Sequence, residues 1–366
     1  MNTMVIGWDI HRKFSQISLQ ERTSSGEIRI VRRERLDHED RAALRQWLAQ
    51  LPAGTPVAME GAFGWPWIAD LLTEMGLDPH LGHPPAIRVL AKNEPKTDRC
   101  DSDRLGRFWL RGIFPQSYLA TPEVRQLRER LRYRMALVGL RTGVKNRIQA
   151  ILHRLGLLHK FSDVFGIQGR AWLDELQLPA ASRDVLDGQL RLLDTLSELI
   201  DEVEQWMEHN LVDDEVVRLL MTLPGIRHIL AHVIRAEIGE IERFAKDKRL
   251  CHYAGLAPLS DDSADRHGRR HIDAACNHTL RWALIEAAGN LLRSKKCPAR
   301  LQKLYARLTH GDRVNKCQAK VAVARELCEL VYVIWKKGEP YRENPPTRPG
   351  ARARAPRKDV SARSSL

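Results

Sequence analysis

The sequence of 366 residues lacks the features of secreted, membrane-spanning and zinc-binding proteins. Its six cysteines lie far apart, with no C-x-x-C pair to chelate zinc and no compact framework for disulfides. The N-terminal segment reaches a charged residue at Asp9, so it contains neither a signal peptide nor the roughly 20 apolar residues of a membrane span. These absences favour reduced thiols in a cytoplasmic protein.

Acidic residues are also comparatively few, because 46 Asp and Glu stand against 59 Lys and Arg, a formal net charge of +13. A basic surplus of this size usually binds a polyanion, and nucleic acid is the first candidate. No Walker-type glycine loop occurs, so the sequence gives no indication of ATP use. The length exceeds the roughly 250 to 300 residues of a single hydrophobic core and predicts more than one domain.

Strand patterns dominate residues 1–120. Apolar alternation predicts strands at 4–10, 14–20, 27–33, 55–61 and 77–81, and helical periodicity predicts helices at 37–50, 64–76 and 98–114. The order βββαβαβα is that of a ribonuclease H-like core. We therefore predict an N-terminal α/β domain of this class over residues 1–120.

Helical patterns replace strands after residue 120. Residues 121–212 predict a helical, coiled-coil linker in which a basic helix is followed by an acidic helix with apolar residues at heptad positions. The acidic helix could form an antiparallel hairpin with the basic helix or pair between subunits. Residues 213–337 predict a mostly α C-terminal domain, and 338–366 a basic disordered tail.

The basic helix has nine Lys or Arg between Arg125 and Arg154 against one acid, Glu129, a net charge of +8. Such a density of cations is typical of a surface that neutralises phosphates. The residues expected to contact a nucleic-acid backbone are Arg125, Arg128, Arg132, Arg141, Lys145 and Arg147.

Carboxylates occur where the N-terminal pattern is otherwise apolar. Asp9 lies in the first strand and Glu60 ends the fourth, and in a ribonuclease H-like order these strands are neighbours. Asp98 and Asp101 lie three residues apart at a helix start and face the same way, whereas Asp103, two residues further, points elsewhere and is predicted to be solvated. Four oxygen ligands suit Mg²⁺, since close like charges call for a cation. The alternative is structural: Asp98 caps its helix, and Asp9 pairs with a lysine.

Two features of the C-terminal part are less specific. Pro224-Gly225-Ile226 forms a turn between apolar helical segments, which is either a helix-hairpin-helix-like element whose Gly225 approaches a phosphate or an ordinary hairpin turn. A polar loop at 259–270 contains Ser263 and ends in Arg269 and Arg270, which we expect to contact nucleic acid. On residue chemistry alone Ser263 is a turn or cap serine.

These pieces together resemble the DEDD transposases of bacterial insertion sequences, the insertion sequence 110 family. The N-terminal signature is met by Asp9, Glu60 and the KTDRCD segment that contains Asp98 and Asp101. The C-terminal signature is met by LPGI at 223–226, AEIGEIERF at 236–244, YAGLAP at 253–258 and NHTLR at 277–281. The likeness spans roughly residues 4 to 300 in the order and spacing of the family.

The resemblance implies a RuvC-like domain that holds Mg²⁺, with Mn²⁺ as a substitute, a helical linker, and a second domain whose serine attacks DNA. By its position after GLAP that serine is Ser263, with Ser260 as the alternative. The catalytic set would then be Asp9, Glu60, Asp98, Asp101 and Ser263. Members resemble recombinases guided by a structured RNA that pairs with donor and target DNA, and recombining two duplexes implies a homo-oligomer.

Two departures from the family pattern concern this loop. The family usually has glycine where this sequence has Ala264 and Cys276, and alanine tolerates fewer backbone conformations, so the loop geometry can differ. Two other hypotheses stay open. The carboxylates could hydrolyse DNA with water, as in a Holliday-junction-type endonuclease, or the protein could bind nucleic acid without catalysis.

Overall fold

The computed structural model describes residues 3–61, 63–92, 98–210, 214–259, 271–272, 275–310 and 315–343. Of residues 98–100, 258–259 and 271–272 only the backbone is described. The chain divides into two compact units, Met1–Glu123 and Val124–Leu366. The four-part division made from the sequence stays a prediction.

The first unit is built on a mixed five-stranded sheet, as expected for an α/β domain. Its strands are β1 (Thr3–Ile10), β2 (Phe14–Arg22), β3 (Ile28–Asp37), β4 (Pro56–Glu60) and β5 (Asp78–Gly82). They are arranged in the order β3-β2-β1-β4-β5. The first three strands are antiparallel neighbours, whereas β1, β4 and β5 run parallel. The predicted adjacency of the first and fourth strands is thereby confirmed.

Four helices accompany this sheet: α1 (Arg41–Leu48), α2 (Trp65–Glu74), α3 (Pro84–Leu90) and α4 (Asp98–Leu110). The short helix α3 was missed by the sequence pattern. The first helix begins later than predicted because β3 continues to Asp37, which pairs with Phe14 of β2. Asp40 then caps α1, its carboxylate accepting a hydrogen bond from the backbone N–H of Ala43.

The two faces of the sheet carry different cores because side chains alternate along each strand. Ile6 and Trp8 pack with Leu44 of α1 and Leu72 of α2. On the opposite face Val5 packs with residues of α4. Gly7 lies on this second face, where a Cβ atom would overlap the carbonyl oxygen of Ser102 and lie 2.7 Å from the backbone nitrogen of Gly106. Helix α4 therefore rests directly on the backbone of β1.

The second unit begins with a helical hairpin. Its helices are α5 (Pro122–Arg154), α6 (Ile167–Glu175) and α7 (Ala180–Asn210). Helices α5 and α7 share one apolar core that includes Leu137, Ile148, Leu186 and Ile200. Of the two arrangements considered for the acidic helix, the structure thus shows pairing with the basic helix of the same chain. Coiled-coil geometry stays a prediction.

The remainder of the second unit is largely helical, as predicted. It contains α8 (Glu215–Leu220), α9 (His228–Ile238), a 3-10 turn (Ile241–Arg243), α10 (Asp247–Tyr253), β6 (Pro258–Leu259), β7 (His271–Ile272), α11 (His278–Arg293), α12 (Ala299–Thr309) and α13 (Lys316–Lys337). One apolar core joins α8 to α13. Within the described ranges, no helix combines the length and the apolar character that crossing a membrane requires.

The contact between Gly7 and α4 makes a testable prediction. Gly7→Ala should destabilise the protein by about 1–3 kcal/mol, because the rigid helix backbone must move to admit a methyl group. Gly143→Ala is the matched control, since no atom lies within 4 Å of a Cβ atom at that position of α5. It should be neutral or stabilise by up to about 1 kcal/mol. Urea unfolding of both variants checks this, and a Gly7→Ala protein as stable as wild type contradicts it.

Candidate functional site

Two of the predicted metal ligands end neighbouring parallel strands. Trp8 of β1 lies opposite Met59 of β4, so Asp9 and Glu60 follow side by side in the same register. Both occupy strand positions on the sheet face that α4 covers, the face of Gly7 and Ala58. The Asp9 side chain is only 13% exposed, and its Oδ2 lies 3.1 Å from His11 Nε2. His11 is thus one partner of Asp9 within the described residues, and the pairing with a lysine considered from the sequence stays a prediction.

Helix α4 runs back along β1 from the end that carries Asp9. Its Ser102 lies over Gly7, while Leu110 at its far end accepts a hydrogen bond from Arg22, which is paired with Thr3 at the start of β1. The first turn of α4 therefore lies towards the Asp9 end of the strand. That turn contains Asp98 and Asp101. The side chain of Asp98 lies outside the described residues.

Two of the described carboxylates have side-chain partners within the protein. Asp101 Oδ1 accepts a hydrogen bond of 2.6 Å from Arg104, and Asp9 faces His11. Among the side chains that the structure describes, no three of His, Cys, Asp and Glu are grouped closely enough to hold a metal ion. The donor chemistry nevertheless fits a divalent cation, because carboxylate oxygens are the ligands that Mg²⁺ prefers.

The neighbouring Asp103 has a different environment. The sequence predicts a solvated side chain, but the structure pairs both oxygens of Asp103 with Arg33, at 2.8 Å for the closest contact. That prediction was wrong because the partner lies on β3, 70 positions away along the chain. Asp103 is therefore part of an ion pair that fastens α4 to the sheet edge.

Not every base of the basic helix α5 is available to contact nucleic acid. Arg128 is largely buried and donates to the carbonyl oxygens of Ala236 and Glu237, and burial lowers its pKa. Arg132 pairs with the Glu237 carboxylate, and Arg134 with Glu204 of α7. Further along α5 the bases are open: Arg141, Arg147 and Arg154 form no ion pair with any residue that the structure describes.

Glu237 is a site residue that the sequence did not single out, although it lies in the AEIG segment. Its side chain is 2% exposed and accepts two hydrogen bonds of 2.8 Å from Arg132 and one of 2.9 Å from Asn277. The same Asn277 amide donates to the hydroxyl of Tyr253 at 2.9 Å. Glu237, Tyr253 and Asn277 belong to three separate segments of the C-terminal signature, which therefore converge on one buried carboxylate.

The turn at Gly225 packs inward. Its φ is +91°, and a Cβ atom there would lie 2.5 Å from the carbonyl oxygen of Ala287 and 2.8 Å from Leu291 Cβ, both in α11. Glycine is therefore required for backbone geometry and for packing against α11. Packing against α11 therefore explains the glycine in this turn. Contact between the turn and a phosphate stays a prediction.

The predicted serine loop lies outside the described residues, including Ser263, Ser260, Arg269 and Arg270. The flanking segments are described. The loop joins β6 to β7, which pair in antiparallel fashion with Leu259 opposite His271. Before β6, Gly255 adopts φ +63°, and a Cβ atom there would overlap Cys276 Sγ. Tyr253 accepts a hydrogen bond of 2.8 Å from the backbone N–H of Asn277, which closes the base of this ribbon.

Two family models match separate parts of the chain. The DEDD transposase model of IS110 elements matches residues 6–156, and the model described as "Transposase IS116/IS110/IS902 family" matches residues 217–306. The transposase for insertion sequence element IS1328 of Yersinia enterocolitica is 26% identical over 92% of this chain and 98% of its own. The transposase for IS1111A of Coxiella burnetii is 25% identical over 73% of this chain and 74% of its own.

Both halves of the chain therefore match transposases, the class of enzyme that cuts and transfers DNA. Within that class, the chain belongs to the IS110 family of DEDD transposases. The family named from the sequence motifs is confirmed.

The contact between Gly255 and Cys276 predicts non-additive stability. Gly255→Ala should destabilise the protein by about 1–3 kcal/mol, through the overlap with Cys276 and the strain of alanine at positive φ. Adding Cys276→Gly, which restores the usual residue of the family, should relieve the overlap. The backbone strain of alanine at positive φ should remain. Chemical unfolding of the two single variants and the double variant measures the coupling. Strict additivity would show that the two side chains do not compete for this space.

Proposed function

We propose that this transposase cleaves DNA with a divalent-metal site in a ribonuclease H-like, RuvC-like domain. The observation that carries this proposal is the register of β1 and β4, which sets Asp9 and Glu60 side by side. The first turn of α4 lies towards the same end of β1. The strand order β3-β2-β1-β4-β5 supports the same domain class. In the proposal Asp9, Glu60, Asp98 and Asp101 hold Mg²⁺, with Mn²⁺ as a substitute.

The protein groups around this site have distinct roles in the proposal. When bound, the cation lowers the pKa of an attacking oxygen and offsets the charge that develops on the phosphate. His11 and Arg104 pair with Asp9 and Asp101 and would compete with a cation for those carboxylate oxygens. Gly7 keeps α4 close to β1 and so fixes the spacing between the strand carboxylates and the helix carboxylates.

We further propose that Ser263 is the nucleophile. Its Oγ attacks the phosphorus, the bond to one deoxyribose oxygen breaks, that oxygen takes up a proton, and the serine proton passes to a base or to solvent. The phosphodiester is conserved as a serine ester, so a DNA hydroxyl can rejoin the strand without ATP. The support is the family likeness and the position of the loop between β6 and β7. Ser260 is the alternative within the same loop.

The proposed nucleic-acid partners are donor DNA, target DNA and a structured guide RNA. The support is the later part of α5, where Arg147 is exposed and Arg141 and Lys145 are partly exposed. The sequence adds Arg125, Arg269, Arg270 and the basic tail. Arg128 is removed from this set because its guanidinium donates to α9 carbonyls. A homo-oligomer follows from the need to cut four strands in two duplexes.

The carboxylate proposal is tested by conservative substitution. Asp9→Asn and Glu60→Gln should each reduce strand transfer by at least about 100-fold and weaken Mn²⁺ binding, because each removes a charged oxygen ligand. Asp103→Asn is the matched control, since this acid of the neighbouring helix α4 pairs with Arg33. It should keep transfer activity while losing some stability. Full activity in both site variants would exclude the metal site.

The serine proposal is tested by trapping. A DNA substrate that cannot be rejoined should leave a covalent adduct on Ser263, which peptide mass spectrometry can locate. Ser263→Ala should bind DNA as wild type does and form no adduct. An adduct on Ser260 would move the nucleophile within the loop. An active preparation without any adduct would favour water as the nucleophile, as in the Holliday-junction-type hypothesis.

A further inference from the structure

A buried carboxylate in the second unit has more partners than a structural ion pair needs. Glu237 lies in α9 with its side chain 2% exposed, where an unpaired charge would cost several kcal/mol. Arg132 and Asn277 supply three hydrogen bonds to its two oxygens. Arg128 and Arg243 also donate to the backbone carbonyl of Glu237. Two guanidinium groups, those of Arg132 and Arg128, therefore lie within ion-pair distance of the carboxylate, and a third, that of Arg243, bonds to the backbone carbonyl of the same residue.

Arg132 is the member of this cluster that faces outward. Its Nε and one Nη2 hydrogen bind Glu237 in the bidentate manner that fixes the guanidinium plane. An arginine has five N–H donors, so three remain on the outer side. The side chain is 53% exposed, and in the described part of the chain no other acceptor binds it. Pairing with Glu237 raises the pKa of Arg132, so the group stays cationic.

The other partners of Glu237 connect this arginine to the β6–β7 ribbon. Asn277 donates to Glu237 and to the hydroxyl of Tyr253, and its backbone N–H donates to the carbonyl of Tyr253. Tyr253 precedes β6 and Asn277 follows β7. Glu237 is therefore bonded at once to the basic helix and to the segment that closes the base of the ribbon.

We propose that Glu237 is a positioning residue that aims Arg132 at a phosphate of the DNA being cut. The three free donors of Arg132 bind the phosphate oxygens, and the bonds through Asn277 hold that phosphate at a fixed distance from the ribbon. This inference rests on the proposed function for the chemistry of cleavage, but the phosphate contact itself does not depend on the identity of the nucleophile.

The charge-neutral double variant separates positioning from stability. Replacing a buried ion pair by neutral groups often leaves stability unchanged, whereas removing one partner leaves a buried charge unpaired. Arg132→Gln with Glu237→Gln should therefore unfold closer to the wild-type midpoint than Glu237→Gln alone, which leaves both Arg128 and Arg132 without their carboxylate. It should cleave saturating DNA about 10- to 100-fold more slowly, because a donor to the reacting phosphate is lost. Arg134→Gln with Glu204→Gln removes a neighbouring α5 ion pair and should cleave at the wild-type rate.

The single variants distinguish the charge of Arg132 from its orientation by Glu237. Arg132→Gln should lower the slope of log K against log salt by about 0.9, the value for one phosphate contact. Glu237→Gln keeps the arginine charge but offers an amide N–H₂ where acceptors are needed, so the slope should hold while cleavage slows. A double variant that cleaves at the wild-type rate overturns the proposal. Cleavage that persists in Asp9→Asn would instead contradict the metal proposal. The phosphate contact of Arg132 would still be judged by the salt dependence of DNA binding in Arg132→Gln.

Discussion

The cost of burying a carboxylate is the constraint on which both units depend. In the second unit Glu237 is enclosed, and its need for donors draws together α5 through Arg132 and α11 through Asn277. In the first unit Asp9 lies at the end of an apolar strand and finds His11 beside it. Each of these acids thus restricts which segments can lie next to it, because an uncompensated charge away from water would cost more than most single contacts contribute.

The two acids differ in what the surrounding backbone provides. Around Asp9 the backbone is close and rigid, because β1 and β4 fix the register with Glu60 and Gly7 admits α4. Around Glu237 the neighbours are long arginine side chains that reach in from a separate helix. The first arrangement suits a compact ion between carboxylates, and the second suits the orientation of a guanidinium group towards a larger anion.

The count of charges predicted the basic character of α5. It did not predict which of its bases bind protein groups and which are exposed. The excess of bases in this helix is plain in the sequence, and it led us to expect a surface that contacts a nucleic-acid backbone. The structure divides the helix. Arg128 and Arg134 bind groups of the same unit, Arg132 is shared between Glu237 and solvent, and Arg141 and Arg147 stay open. The acids that cause this division are 70 to 109 positions away, where a local count cannot include them.

The sequence by itself determined the family, the mixed α/β and helical halves, and the adjacency of the strands that bear Asp9 and Glu60, because apolar periodicity and short motifs are local. It missed the short helix α3 and misjudged Asp103, whose Arg33 partner lies on another strand. Only the tertiary structure showed that Glu237, Tyr253 and Asn277 meet, and that Gly225 serves packing. The physical reason is that these hydrogen bonds and glycine contacts join segments that are far apart in the sequence. Which of these segments lie close together is decided by the packing of the whole core.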